Sequence, residues 1–193
     1  EMLSVLRVLS SKQLVQGPEV EAFEGEFSAQ VVGGRRVVAL NSGTSALHLG
    51  LLSRGIGPGD EVIVPSFTFA ATANAVALTG ARPVFCDIDP QTFCLTPESV
   101  TNAISSRTRA VMPVHMFGHP APMVALGGLA SGRGIELYED AAQAHLAEIE
   151  GKRVGTFGDF AAFSFYATKN MSAGEGGAVV TSSQEDERFV RTM

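Results

Sequence analysis

The sequence predicts an α/β fold, a three-layer α/β/α sandwich with a mostly parallel central sheet. After residue 34, short runs of apolar and β-branched residues alternate with stretches of helical spacing. The runs are almost continuously apolar, which is typical of parallel strands covered on both faces. A chain of 193 residues with 45% hydrophobic residues also buries a sizeable core without disulfides or metal.

The N-terminal part of the chain is predicted to be helical. Helical spacing extends over residues 2–10 and 19–30, and Pro18 stands at the start of the second stretch. We therefore expect an N-terminal helical segment at residues 1–33. Residues 34–193 then form one large domain.

Within the large domain, apolar runs and cap residues set the order of the elements. Strands are predicted at residues 37–40, 61–64, 83–86, 110–113, 135–138, 160–163 and 178–181. Helices are predicted between them at residues 44–54, 70–79, 97–104 and 121–132. A further helix is expected to follow the last strand.

Composition and charge exclude several classes of partner. Fourteen basic against 20 acidic residues give a net charge of −6, which disfavours nucleic acid and anionic membranes. The uncharged run 62–81 contains proline, threonine and asparagine, and we interpret it as strand, loop and helix. Two cysteines without zinc spacing favour a reducing compartment. With no visible signal peptide, we expect a soluble, cytoplasmic protein.

No metal site is predicted. His115 and His119 have i,i+4 spacing, but Gly118 and Pro120 interrupt any helix that would bring them together. No third ligand accompanies them.

Ligands of such sheets lie beyond the carboxyl ends of the strands, so the loops there are the candidate site. After the first strand, hydroxyl residues surround Gly43 at a helix start, with Thr44 and Ser45 beside it. This arrangement suits phosphate, although an ordinary helix cap has the same composition. After the second strand, Phe69 either forms a platform for a planar ring or packs into the core.

Two carboxylates follow the strand at residues 135–138. Asp140 is flanked by alanine, and a carboxylate in such a dry setting needs a cation. Two adjacent buried carboxylates repel, so we expect Glu139 and Asp140 to point opposite ways, with one of them solvated. Gln143 and His145 would complete a polar cluster. An Asp that caps a solvated turn is the alternative.

Lys169 stands between Thr168 and Asn170, ahead of the glycine cluster at residues 174–177. A desolvated lysine loses basicity and becomes a nucleophile that forms Schiff bases. An ordinary surface lysine is the alternative.

Taken in order, these features describe a site for pyridoxal phosphate (PLP), and the chain resembles the DegT-type (DegT/StrS-like) nucleotide-sugar aminotransferases, which are fold-type I PLP enzymes. The motifs that carry the resemblance are LVQGP (14–18), FE (23–24), NSGTSAL (41–47), PSFTFAATAN (65–74), VHMFG (114–118), EDAAQ (139–143), GTFGD (155–159) and FSFYATKN (163–170).

The resemblance implies a role for each candidate residue. Lys169 would form a Schiff base with PLP, and Asp140 would pair with the ring nitrogen. Gln143 would bond the phenolic oxygen, and Phe69 would stack on the ring. The residues implied to hold the phosphate are Gly43, Thr44, Ser45 and Ser164. The resemblance assigns no role to His145.

The implied reaction moves an amino group from an amino acid, glutamate being expected, to a keto sugar on a nucleotide carrier. Deoxyamino sugars of this kind belong to lipopolysaccharide or antibiotic biosynthesis. The resemblance also implies a homodimer and a smaller C-terminal domain after residue 193. The present chain would then be the PLP-binding large domain.

The sequence departs from the family pattern at one position, and three alternative interpretations are considered. Leu146 stands where relatives commonly carry glycine, which is expected to alter packing beside the ring. A related enzyme that dehydrates keto sugars has histidine at the position of Lys169, so Lys169 argues against it. Cysteine desulfurases share the architecture, but Cys86 and Cys94 lie upstream of the site. A PLP-binding or dimerising remnant without turnover stays open.

Overall fold

The computed structural model describes residues 2–193. The helices are α1 (Met2–Ser11), α2 (Pro18–Gln30), α3 (Gly43–Ser53), α4 (Ala71–Leu78), α5 (Pro97–Ala103), α6 (Met123–Arg133) and α7 (Gln184–Thr192). The strands are β1 (Arg36–Leu40), β2 (Glu61–Pro65), β3 (Arg82–Cys86), β4 (Thr108–Val111), β5 (Glu136–Asp140), β6 (Glu148–Ile149), β7 (Lys152–Arg153), β8 (Phe160–Ser164) and β9 (Gly177–Thr181).

Seven strands form one sheet in the order β1-β9-β8-β5-β4-β2-β3. Only β9 runs antiparallel to its neighbours, β1 and β8; the other pairs are parallel. The predicted mostly parallel sheet is therefore confirmed. A separate hairpin of β6 and β7, which the sequence reading did not predict, follows β5.

Helices cover both faces of the sheet, which gives the three predicted layers. On one face, α3, α4 and α7 pack against alternate residues of the strands, such as Val62 and Val64. The intervening residue Ile63 points to the other face, where α5 and α6 lie. Phe27 of α2 extends that second layer over β8, against Phe163. Such two-sided burial explains why the central strands are almost wholly apolar.

The candidate loops all leave the same edge of the sheet. Strands β2, β5 and β8 run in one direction, and β1 shares it because both β1 and β8 are antiparallel to β9. Their carboxyl ends therefore meet, as a ligand site of this fold requires. None of the helices within residues 2–193 has the length and apolar character needed to cross a membrane.

Candidate active site

A cavity of about 470 Å³ opens at this edge of the sheet. Its walls come from the loops that follow β1, β2, β5 and β8. Seven of the eight candidate residues line it: Gly43, Thr44, Phe69, Asp140, Gln143, Ser164 and Lys169. Chain order alone separates these residues by as much as 126 positions, so the fold is what brings them together.

The eighth candidate, Ser45, lies in the same helix start but turns its side chain elsewhere. Ser42 is the N-cap of α3, and its Oγ accepts a hydrogen bond from the Ser45 N–H at 3.1 Å. The two hydroxyl oxygens also lie 3.0 Å apart. Ser42 itself lines the cavity, and it is a candidate site residue that was not predicted from the sequence.

Gly43 is needed because the helix start comes very close to β8. A Cβ at Gly43 would lie 2.7 Å from the Cβ of Ser164, a contact that real side chains do not make. The glycine therefore lets the N-terminus of α3 and the Ser164 side chain border one corner of the cavity. Helix N-termini present unsatisfied N–H groups and a partial positive charge, so this corner suits an anion.

Asp140 is a buried carboxylate at the end of β5, with 5% of its surface exposed. Its Oδ2 accepts a hydrogen bond from the Thr72 hydroxyl at 2.8 Å, and its Oδ1 accepts one from the Ala142 N–H at 3.2 Å. Burial raises the pKa of Asp140 above its ordinary value, although these donors oppose the shift. Within residues 2–193 it has no ion-pair partner, so its charge calls for a cation in the cavity.

Glu139 corrects one expectation. The two carboxylates do face opposite sides of β5, but neither is solvated, since Glu139 is fully buried. Its oxygens accept hydrogen bonds from the backbone N–H groups of Gly155, Phe157 and Gly158, each at 2.8 Å. Donors from one tight loop thus take the place of water.

His115 completes the surroundings of Glu139. Its Nε2 lies 3.3 Å from the carboxylate, and its Nδ1 accepts a hydrogen bond from the Ala121 N–H at 3.0 Å. The remaining proton of a neutral ring therefore sits on Nε2 and points at Glu139. Burial by itself would raise the pKa of Glu139, but His115 and the backbone donors outweigh it, so the pKa is lowered.

Gln143 is held by a turn from another part of the chain. Its Oε1 accepts a hydrogen bond from the Phe117 N–H at 2.8 Å. Phe117 has a φ of 55°, in the left-handed region, and the next residue, Gly118, has a φ of 84°. This fixed carbonyl leaves the amide N–H groups of Gln143 to donate into the cavity that the residue lines.

Lys169 lies on the segment between β8 and β9, half-buried at the wall of the cavity. Its backbone N–H donates to the Tyr166 carbonyl at 2.9 Å, which closes a tight turn.

Phe69 stands on the wall formed by the loop after β2, with 71% of its surface exposed. An aromatic ring this exposed does not serve the core, so the platform interpretation is favoured over the packing one.

His145 does not line the cavity, although it belongs to the same loop as Asp140 and Gln143. It is 8% exposed and lies 5.3 and 5.5 Å from the ring centres of Phe163 and Phe165. Within residues 2–193 neither of its ring nitrogens has a hydrogen-bond partner. Burial lowers the pKa of His145, so the ring is held as the neutral form.

Two threonines near Asp140 were missed as individual site residues. Thr68 and Thr72 both line the cavity, and their hydroxyl oxygens lie 2.9 Å apart. The available signal was their place in the segment that follows β2, whose carboxyl end borders the site. Thr68 lies before α4, so its contact with Thr72 depends on how this loop folds.

The chain is similar to known proteins of one enzyme family. A model of the DegT/DnrJ/EryC1/StrS aminotransferase family matches residues 1–193. The chain is 50% identical to the dTDP-3-amino-3,4,6-trideoxy-alpha-D-glucose transaminase of Streptomyces venezuelae over 191 residues, which are 98% of this chain and 50% of that protein.

Solved structures show the same similarity. The chain matches S. venezuelae DesV in complex with a ketimine intermediate with a TM-score of 0.94 and 48% identity, covering 98% of this chain and 51% of DesV. NtdA of Bacillus subtilis with bound cofactor PMP matches with a TM-score of 0.87 and 34% identity, covering 98% and 43%. The chain thus spans about half the length of the relatives that it matches.

Proposed function

The chain belongs to the DegT/DnrJ/EryC1/StrS aminotransferase family, and from this premise we propose that the protein is a PLP-dependent sugar aminotransferase. It would move an amino group from an amino acid, glutamate in our proposal, to a keto sugar on a nucleotide carrier. The observation that carries the proposal is that Asp140, a buried carboxylate that forms no ion pair within residues 2–193, and Lys169 line the same cavity.

The residues present fit PLP at each of its polar groups. Asp140 offers a dry carboxylate for the protonated ring nitrogen, and Gln143 offers an amide donor for the phenolic oxygen. Ser45 already uses its backbone N–H on the Ser42 side chain, so the free donors at the start of α3 for the phosphate are the N–H groups of Gly43 and Thr44. Because its N–H is already used and its side chain does not line the cavity, Ser45 is the weakest of the predicted phosphate ligands.

When bound, PLP supplies an electron sink that stabilises negative charge on the carbon next to the transferred nitrogen. Asp140 would keep the proton on the ring nitrogen, because an anion in a dry pocket favours the protonated partner. Phe69 would exclude water from one side of the cavity. Lys169 would hold the cofactor covalently, and its Nζ, when free, would accept the proton that leaves the substrate carbon. Positioned proton transfer of this kind contributes roughly 10²–10⁴-fold to the rate.

The remaining features of the proposal concern partners and location. The relative named above is a transaminase of a dTDP-linked sugar, which supports a nucleotide-linked keto sugar as the acceptor. Homodimer formation and a cytoplasmic location stay predictions of the sequence. Size-exclusion chromatography with light scattering tests the former directly.

Absorption spectroscopy tests the proposed function. Addition of PLP should produce a visible absorption band, because a Schiff base with Lys169 extends the conjugated system of the ring. Glutamate should bleach this band, and a nucleotide-linked keto sugar should restore it. The Lys169→Ala variant is the matched control and should show only the spectrum of free PLP. No band in the unaltered protein would refute the proposal.

Bleaching by glutamate without recovery on the keto sugar would support PLP binding and the first half of the reaction. It would contradict the proposed acceptor. Replacement of glutamate by other amino acids then identifies the donor by the rate of bleaching.

A further inference from the structure

We propose that Thr72 is a positioning residue that holds the Asp140 carboxylate ionised and oriented toward the cavity, with Thr68 behind it. The inference deepens the proposed function, because it concerns the carboxylate assigned there to the ring nitrogen of PLP. It rests on hydrogen-bond geometry within the chain itself.

The direction of each hydrogen bond in this group follows from counting protons. A threonine hydroxyl has one proton, and an ionised carboxylate can only accept. Thr72 therefore donates to Asp140 Oδ2 at 2.8 Å. Its proton is then used, so the contact of 2.9 Å with Thr68 must be a bond that Thr68 donates. The three groups form one polarised chain from Thr68 through Thr72 to Asp140.

This chain of hydroxyls fixes how Asp140 is presented. The Ala142 N–H occupies Oδ1, and Thr72 occupies Oδ2, so each oxygen has one donor from the protein. These two donors, one from α4 and one from the loop after β5, fix the plane of the carboxylate. The remaining lone pairs of its oxygens are free to accept a hydrogen bond from a ligand. A buried carboxylate with donors on both oxygens favours the ionised state that burial opposes.

The Thr72 hydroxyl has no competing structural task. Thr72 is completely buried in the first turn of α4, where a threonine hydroxyl can bond a helix carbonyl. Thr79, at the end of the same helix, does so with the Val76 carbonyl. Thr72 instead spends its hydroxyl on Asp140 and Thr68. The contrast marks the Thr72 hydroxyl as a partner of the carboxylate.

The test replaces the hydroxyl and keeps the shape. Thr72→Val leaves Asp140 Oδ2 without a donor, so the neutral carboxyl becomes favoured and PLP binding should weaken by about 10-fold or more, the range for a hydrogen bond to a charged group. Thr72→Ser keeps a hydroxyl and should restore most of the affinity. Thr68→Val leaves the Thr72 donor in place and should have a smaller effect. Thr101→Val, on an exposed turn of α5, is the matched control and should behave like the unaltered protein.

A second readout does not depend on PLP. The carboxyl ¹³C shift of Asp140 in the PLP-free protein reports its titration, and Thr72→Val should move the midpoint to higher pH, while Thr72→Ser should not. An unchanged midpoint together with unchanged PLP affinity in a folded Thr72→Val protein would overturn the inference. If the unaltered protein fails to bind PLP, the proposed function fails, and the Asp140 midpoint still decides whether Thr72 holds the carboxylate ionised.

Discussion

Glu139 and Asp140 are neighbours on β5, and both are buried, yet the regions around them differ in one respect. Glu139 faces three backbone N–H groups and the Nε2 of His115. Asp140 faces an open cavity and receives one hydrogen bond on each oxygen. The first region satisfies its anion from within the chain, whereas the second leaves it in need of a cation.

The pKa shifts record the same difference. The pKa of Glu139 is lowered and that of Asp140 is raised, although burial acts in the same direction on both. A fully satisfied buried carboxylate strengthens the fold, and a partly satisfied one is typical of a functional site. The candidate site thus lies where a buried carboxylate receives only one hydrogen bond on each oxygen from the chain.

Removal of the Glu139 carboxylate should destabilise the protein more than any other substitution considered below. Glu139→Ala should lower the free energy of unfolding by about 3–5 kcal/mol, because three N–H groups and His115 lose their acceptor in a buried place. Chemical denaturation measures the change. A loss below about 1 kcal/mol would show that the loop at residues 155–158 does not depend on this carboxylate.

Asp140→Asn should change PLP binding strongly and stability little, whereas Glu139→Ala should change stability strongly. The amide has nearly the same shape and no charge to bury, so the free energy of unfolding should change by less than about 1 kcal/mol. Binding of PLP should weaken by about 100-fold or more, since a buried ion pair loses one partner. Denaturation and PLP titration on the same preparation separate the two effects. Large destabilisation with intact binding would reverse the roles assigned to the two carboxylates.

The pH dependence of stability tests whether the folded protein holds His145 in its neutral form. His145 has a lowered pKa in the folded protein, so the unfolded chain binds its proton first as the pH falls. The free energy of unfolding should therefore decrease as the pH drops below about 6.5, the ordinary pKa of histidine. His145→Leu should flatten this slope between pH 7 and pH 5. An unchanged slope would mean that His145 is not held neutral.

The smallest effect concerns Leu146. Its φ of 65° lies in the left-handed region, where glycine is favoured and a leucine is strained. Leu146→Gly should raise the free energy of unfolding by about 0.5–1 kcal/mol, while Leu146→Ala keeps a Cβ and should give no such gain. Thermal unfolding of the two variants decides the matter. If the two variants were equally stable, the leucine at position 146 would not strain the backbone.

Much of the fold was predictable because strands buried on both faces leave continuous apolar runs in the sequence. The strand predicted at 160–163 is β8, and the one at 178–181 is β9, each within one residue. The hairpin of β6 and β7 escaped notice because it has two residues in each strand and a charged residue in both. Pairs that short carry no periodicity.

The site was predictable as a set of strand-end loops, but the partners of its residues were not. The expectation that one of the two carboxylates is solvated was wrong, because the donors to Glu139 come from residues 16 to 19 positions later and are backbone groups. Backbone donors leave no trace in residue identity. The hydrogen bond from Thr72 to Asp140 spans 68 positions, from the start of a helix to the end of a strand, and only the fold reveals it.

In the proposed function, Lys169 reacts with PLP in the cavity that Asp140 borders. Borohydride reduction of the protein with PLP, followed by proteolysis and mass spectrometry of the peptides, identifies the lysine that forms the Schiff base. We expect a phosphopyridoxyl group on Lys169, in a yield that Asp140→Asn strongly reduces. Label on Lys12 or Lys152, with none on Lys169, would refute the proposed role of Lys169.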